Sequence, residues 1–437
     1  MEKNAFYPAL LPALLLLCAV SLFAQELLTA EQAVALALRN NFDIRVAKNL
    51  SAISQEGDFP GAAGMLPKAT AAVTVSGSNN RLSQEAAAGG VTTTPDARTS
   101  NLNPSLTLSW TLFDGLKMFA VKGRLKRLSE ISELNYRDAL QGTVAQTLTA
   151  YYDVVSAVQQ RKGLAQTITL SEERFTIAQK KYDLGSVSKV DLLQARLDLN
   201  AQKSALLSQE NTLTRKRAAL NFLLARAAGT PFTTVDTIPF NSGWVPIAEA
   251  ELDVRNFQLQ AALKRLEAAR FSRRELYAQF LPSLSATGAY GLSQSDYNYG
   301  LNASSETRGL SGSATLSYPL FNGFTDWHAA RAANLTLANS QASLESARLL
   351  IRSGYFLAQK EYLKAMDILK LEEENILLAD ENVKIALERF RLAQTTAIEF
   401  GTAQQSYLSA LTRLVTARFN AKSAETELLR LQGALVK

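Results

Sequence analysis

"YDLGSVSKVDLLQARL", residues 182–197, interrupts a stretch that otherwise reads as one very long helix. Gly185 is the residue type expected just past a helix end, where left-handed backbone angles are needed. Ser188 with Asp191 fits the S-x-x-[DE] capping box that starts a new helix. Stop and restart lie only a few residues apart, so the two helices must fold back on each other as an αα-hairpin. A degraded copy, "FRLAQTTAIEFGTAQQ", returns at 390–405, with Thr396 and Glu399 as its T-x-x-E cap.

That return belongs to a repeat covering most of the chain. "TLSWTLFDG" (107–115) aligns with "TLSYPLFNG" (315–323) at an offset of 208, and Glu173/Glu381, Ile177/Ile385 and Leu184/Leu392 keep the same offset. Upstream the offset becomes 215, pairing Asn41-Phe42 with Asn256-Phe257 and Leu66-Pro67 with Leu281-Pro282. The seven-residue difference falls where the first copy reads "SQEAAAGGVTTTPDARTSN", a loop composition able to absorb insertions. Two tandem units follow, 25–228 and 248–437, joined by a Gly-, Pro- and Thr-rich linker at 229–247.

Each unit reads as helix, strand, loop, strand, very long helix, turn, helix. Strands are expected at about 69–78 and 104–113, and again at about 284–293 and 312–321. In the second of these, Leu106, Leu108, Trp110 and Leu112 alternate with Ser105, Thr107, Ser109 and Thr111. Such alternation suits a soluble sheet with one wet face. It equally suits a transmembrane strand with lipid outside and a water-filled lumen inside. The helices after the turns carry Leu192, Leu199, Leu206, Leu213 and Leu220, and Phe400, Tyr407, Leu414, Ala421 and Leu428, at steps of seven. A sustained seven-residue period predicts coiled-coil packing, and Ala403, Ala410, Ala417 and Ala424 allow close approach. The stretch 117–182 has no proline and would reach roughly 100 Å as a helix.

Composition narrows the function. The 437 residues are 47% hydrophobic and 20% charged, ordinary for an ordered protein. A net charge of +6 without a basic, aromatic-interleaved cluster gives no sign of a nucleic-acid partner. Residues 1–24 read as a secretory signal peptide: Lys3, then an uncharged run from Ala5 to Ala24. Cys18, the one cysteine, falls inside it, which removes thiol catalysis from the mature chain. No later segment has the roughly 20 apolar residues of a membrane-spanning helix, so any crossing uses strands. Four strands cannot close a barrel, and an open edge in lipid leaves backbone groups unsatisfied; chains must therefore pool them, two giving eight strands or three giving twelve. The lone His328, and the lack of a Cys/His cluster, phosphate-binding glycine loop or nucleophile–base pair, predict no enzyme, no metal site and no cofactor. Trp110, Tyr318 and Phe321 are candidates for an aromatic girdle at a bilayer surface.

With "LTAEQAVALALRNNFDIRVA" near the start, paired "LFDG"/"LFNG" strand ends and the 182–197 turn, the chain resembles the TolC family of outer-membrane efflux proteins over nearly its whole length. The resemblance implies an α+β membrane protein of two tandem repeats. Each repeat has two long antiparallel helices and a β-hairpin. It further implies a homotrimer in the Gram-negative cell outer membrane, with a 12-stranded β-barrel continuous with a periplasmic α-helical barrel. Hairpin tips at 183–190 and 391–398 would form the periplasmic entrance. Gly185, Ser186, Val187 and Ser188, with Ala393, Gln394, Thr395 and Thr396, would dock a periplasmic adaptor protein serving an inner-membrane pump. The entrance positions of the family fall at Asp191, Phe390, Thr395, Glu399 and Thr402. Here the family's tyrosine is Phe390, its arginine Thr395 and its second acid Thr402, so the polar clasp of well-studied members is incomplete. Asp191 and Glu399 remain, and capping alone also accounts for them. A soluble periplasmic coiled-coil scaffold is the alternative.

Overall fold

The computed structural model describes residues 26–240 and 246–436. The expected signal peptide lies outside the described residues, as does part of the linker. The chain opens with β1 (Glu26–Leu28), α1 (Ala30–Asn40) and α2 (Phe42–Glu56), then a hairpin of β2 (Lys68–Glu85) and β3 (Val91–Asp114). Next come α3 (Lys117–Asp183), α4 (Lys189–Leu223) and β4 (Phe232–Thr234). The plan then recurs: α5 (Glu249–Arg255), α6 (Phe257–Tyr277), β5 (Ser283–Tyr297), β6 (Ser304–Ser317), α7 (Thr325–Arg391) and α8 (Ala397–Leu431). Both α3 and α7 have 67 residues, and both α4 and α8 have 35.

Residues 208 apart share unusual backbone. Gly115-Leu116 and Gly323-Phe324, the elbows between sheet and long helix, all have positive φ. So do Gly185 and Ala393 at the far helix ends, and Ala225 and Gly433 where the return helices finish. The two asparagines matched at 215 also agree. Asn41 Oδ1 accepts the amides of Asp43 and Ile44, while its Nδ2 donates to Leu223 O at 3.0 Å. Asn256 does the same for Gln258, Leu259 and Leu431 O. Each therefore caps one helix and ties it to the last turn of a return helix, using both ends of one amide.

The strands β2-β3-β5-β6 form one antiparallel sheet in that order. All four strands run longer toward their turns than the sequence expectation, with β5 reaching Tyr297 and β6 starting at Ser304. The stretch read as a loop, "SQEAAAGGVTTTPDARTSN", is mostly strand; β2 and β3 continue to a tight turn at 86–90, where Gly89 and Gly90 supply positive φ. A hairpin projecting into water on both faces has no apolar alternation to betray it. β6 ends at Ser317, not 321, since Pro319 has no amide with which to continue the ladder. Pro104 has a similar effect inside β3: it pairs with Val73, but the bridges to β5 skip from Leu102 to Ser105.

On the inner strand β3 the polarity is inverted relative to a soluble fold, apart from Ser109, which is exposed. On β3, Leu102, Leu106, Leu108, Trp110 and Leu112 are 40–55% exposed, while Ser105, Thr107 and Thr111 are half-buried. Ala71, Leu106, Tyr290 and Leu310 line up as one apolar rung across all four strands, with Thr70, Thr107, Ala289 and Ser311 beside it.

The leucine heptads do what their spacing predicts. Leu199, Leu213 and Leu220 are buried, as are Phe400, Leu414, Ala421 and Leu428, with Ala403, Ala410 and Ala417 between them. Where the long helices cross the short elements, Leu28, Tyr151, Val155, Leu220 and Phe232 form one core, and Leu252, Leu259, Tyr355 and Leu428 another. Tyr151 joins β1 to the linker strand: its hydroxyl donates to Leu28 O at 2.9 Å and accepts from Val235 N at 3.3 Å. Among the described residues, no helix is long and apolar enough to cross a membrane.

Candidate functional site

Two hairpin tips lie at the far ends of the long helices, remote from the sheet. At the first, Gly185 N donates to Tyr182 O at 2.9 Å and Ser186 N to Lys181 O at 2.8 Å. This pair of bonds is a Schellman closure, with Gly185 at φ +73°. The restart is a full capping box: Asp191 N donates to Ser188 Oγ, and Ser188 N to Asp191 Oδ2, both at 3.2 Å. The second tip repeats the closure through Ala393 N to Phe390 O and Gln394 N to Arg389 O. Thr396 accepts from Glu399 N at 3.2 Å, and the Glu399 carboxylate accepts from the Thr395 hydroxyl.

Ala393 adopts φ +56°, which an alanine holds at a cost of roughly 1 kcal/mol relative to glycine. At Gly185 an added Cβ would meet nothing within 4 Å, so a substitution there carries only the backbone cost. Ala393→Gly is therefore expected to slow hydrogen exchange at the second tip about fivefold, and Gly185→Ala to speed it at the first by a similar factor. Exchange measured by mass spectrometry over 180–192 and 388–400 checks both.

The candidate entrance residues do not form one cluster. Asp191 and Thr402 line a groove of about 890 Å³ between α4 and α8. Glu399 is exposed at the start of α8, outside that lining. Phe390 is only 4% exposed: its ring stacks on Phe400 at 5.6 Å, among Val383 and Leu387. It is thus a core residue of the hairpin, which explains why an aromatic is needed there even without a hydroxyl. Val187, Gln394, Thr395 and Thr396 complete the exposed or half-exposed tips, and Thr402 Oγ1 returns to Ile398 O at 3.0 Å.

Other residues join the hairpins. Lys181 Nζ donates to Phe390 O at 3.0 Å and sits 4.5 Å above the Phe390 ring. Arg391 donates from Nε to Glu173 Oε1 at 2.7 Å and pairs also with Glu388. The hydrogen bond it donates to the Glu173 carboxylate keeps the Arg391 guanidinium pKa above its usual value. Deeper in, Arg174 is 4% exposed and donates to Asp198 Oδ2 at 2.7 Å. Gln404 Nε2 reaches Thr167 O at 2.8 Å from α8 to α3. Gly401 gives Arg174 its room, since a Cβ there would stand 3.2 Å from Nη1. That mid-helix glycine, with no turn to serve, was the sequence signal for a close approach. Lys181 and Glu173 carry no such signal. Among the described residues, no group of acidic, His or Cys side chains is placed to hold a metal ion.

A family model described as "Outer membrane efflux protein" matches the chain twice, over residues 33–226 and 250–434. The chain belongs to this family of outer-membrane channel proteins. It is similar to Protein CyaE of Bordetella pertussis, 26% identical over 56% of this chain and 52% of CyaE. OprJ of Pseudomonas aeruginosa is 26% identical over 65% of this chain and 61% of OprJ, so the chain spans little more than half the length of these two relatives. Outer membrane protein TolC of Escherichia coli is 22% identical over 76% of this chain and 72% of TolC. Among solved structures, the outer-membrane channel OprN superposes with a TM-score of 0.79 at 20% identity, covering 93% of this chain and 90% of OprN. The CmeC outer membrane channel of Campylobacter jejuni gives 0.78 at 18%, covering 93% and 85%. The sequence-based resemblance and its outer-membrane location stand.

Proposed function

We propose that this chain is one third of an outer-membrane channel-tunnel, the passive exit duct of a tripartite efflux or type I secretion system for small molecules or polypeptides. The observation that carries this reading is the sheet. On its inner strand β3 the large apolar residues are exposed while Ser105, Thr107 and Thr111 are half-buried, as a barrel with lipid outside and water inside requires. The sheet has two open edges, β2 and β6, which lipid cannot satisfy.

The helices end in matching open edges. α6 packs between α3 and α7, whereas its counterpart α2 packs on α3 and leaves Phe42, Val46, Leu50 and Ile53 exposed. Nearer the tips, α8 packs on both α3 and α7, while α4 packs on α3. Opposite these lies α7, with Leu350, Leu357, Leu371, Leu378, Ile385 and Leu392 exposed at multiples of seven. So α7 and β6 form one border of the chain, and α2, α4 and β2 the other. A head-to-tail contact joining those borders closes into a ring. Three copies give twelve strands and six hairpin tips. The tips and the α4/α8 groove then face the periplasm, where a periplasmic adaptor protein delivers cargo from an inner-membrane pump. Trp110, whose Nε1 donates to Met65 O at 3.0 Å, and the exposed Tyr318 and Phe321 belong to the girdle at the inner bilayer surface.

Conductance in planar bilayers tests the reading. The detergent-extracted protein is expected to migrate as an oligomer that boiling dissociates, and to conduct; a monomer soluble without detergent would indicate the scaffold instead. Asp191→Ala with Glu399→Ala is expected to lower cation preference, measured as reversal potential in a salt gradient. An unchanged potential would leave these acids as helix caps.

A further inference from the structure

The 208-residue correspondence has a consequence at the border between copies. Within one chain, Lys181 at the end of α3 donates to Phe390 O and lies over the Phe390 ring. Moving each partner by one repeat turns Lys181 into Arg389, and Phe390 into Tyr182. Both are again a cation and an aromatic ring, and both are exposed in the single chain, at the tip ends of α7 and α3. Tyr182 is 38% exposed; Arg389 makes a long 3.3 Å bond to Gln394 O in its own tip.

We propose that Arg389 of one copy donates to the backbone carbonyl of Tyr182 in the next and covers its ring, completing a collar of six cation–aromatic joints around the tunnel mouth. The proposal rests on the ring-shaped channel read above. The second in-chain link does not carry over. Glu173 and Arg391 map onto Glu381 and Asp183, two acids. A joint within a chain therefore has two attractive contacts, and a joint between copies has one attractive contact beside a like-charged pair. The mouth consequently loosens between copies, with the two hairpins of each chain moving together.

Charge complementarity fixes the occupant of this border. The α7 end offers a cation, and the α3 end of a second copy offers the electronegative carbonyl and ring face that would take it. In a Cys18→Ser background, Arg389→Cys with Tyr182→Cys is expected to give covalent trimers with a short bis-maleimide on a denaturing gel. Each single variant should stay monomeric, and Glu173→Cys with Arg391→Cys should link only within a chain. Arg389→Ala should raise the time spent in the high-conductance level about tenfold, and Arg389→Lys should not. Asp183→Arg supplies the missing ion pair with Glu381 and should lower that time by a similar factor. Trimers that form and conduct, but give no covalent product from the 389/182 pair, would overturn the collar while leaving the channel intact. So would an Asp183→Arg channel with unaltered gating. Failure to form any oligomer or conductance would overturn the channel reading itself, and the collar with it.

Discussion

Leu106→Arg is expected to remove the protein from the outer membrane as a heat-modifiable oligomer, whereas Thr107→Arg, one residue along, should leave assembly intact and change conductance. Leu106 is 55% exposed and stands in the apolar rung shared with Ala71, Tyr290 and Leu310. In the proposed trimer, an arginine facing lipid near the bilayer midplane would cost about 2–4 kcal/mol per site, once in each copy. Thr107 lies in the neighbouring hydroxyl-bearing rung, less exposed in the single chain, where a long cation extends into water. Outer-membrane fractionation, and gel mobility with and without boiling, compare the two. Equal effects at 106 and 107 would show that the sheet has no lipid side, and the soluble scaffold would then stand.

The next largest effect is expected on α7. Leu371 and Leu378 are each exposed by about three-fifths in the single chain, a waste of apolar surface unless a second copy covers them. Covering a leucine contributes roughly 1.5–3 kcal/mol, and a carboxylate in its place adds a desolvation cost. Leu371→Glu with Leu378→Glu is therefore expected to give monomers in detergent, read by native mass spectrometry. Helix content by circular dichroism should be retained, because the inward seam of Leu369, Leu414 and Ala417 is untouched. The same exchange at buried Leu414 should instead unfold the hairpin. A stable trimer carrying both glutamates would remove α7 from the border between copies.

Much of this was legible in the chain. The capping box at Ser188 and Asp191 has its predicted bonds, because that motif is local and its geometry follows from four consecutive residues. The heptads of α4 and α8 bury most of the residues their spacing selects, with Leu192, Leu206 and Tyr407 half-buried, since a seven-residue period can face a partner on one side only. The repeat matched Asn41 with Asn256, but their shared role as caps shows only in the hydrogen bonds, because a sequence match does not say which amides a side chain accepts. The strand ends were poorly legible: 83–101 reads as loop by composition, yet its backbone is held by a hairpin ladder that polar and small residues form as readily as apolar ones. The joints between hairpins were invisible because their partners are distant in sequence. Lys181 meets Phe390 across 209 residues, and a lysine on a helix surface looks the same whether it meets an aromatic ring or water. Phe390, expected at the entrance, is instead buried against Phe400, because its position in α7 points into the hairpin rather than out of it.

The four left-handed helix ends bear on symmetry. At the tips the first unit has Gly185 and the second Ala393; at the opposite ends of the return helices the first has Ala225 and the second Gly433. Each unit has thus kept one relaxed corner and one tense one, and the two made opposite choices. In the proposed trimer, a rim that six hairpins might have made uniform instead alternates, relaxed and tense, three times around. A docking protein that distinguishes the two kinds of corner has three seats at this mouth, not six.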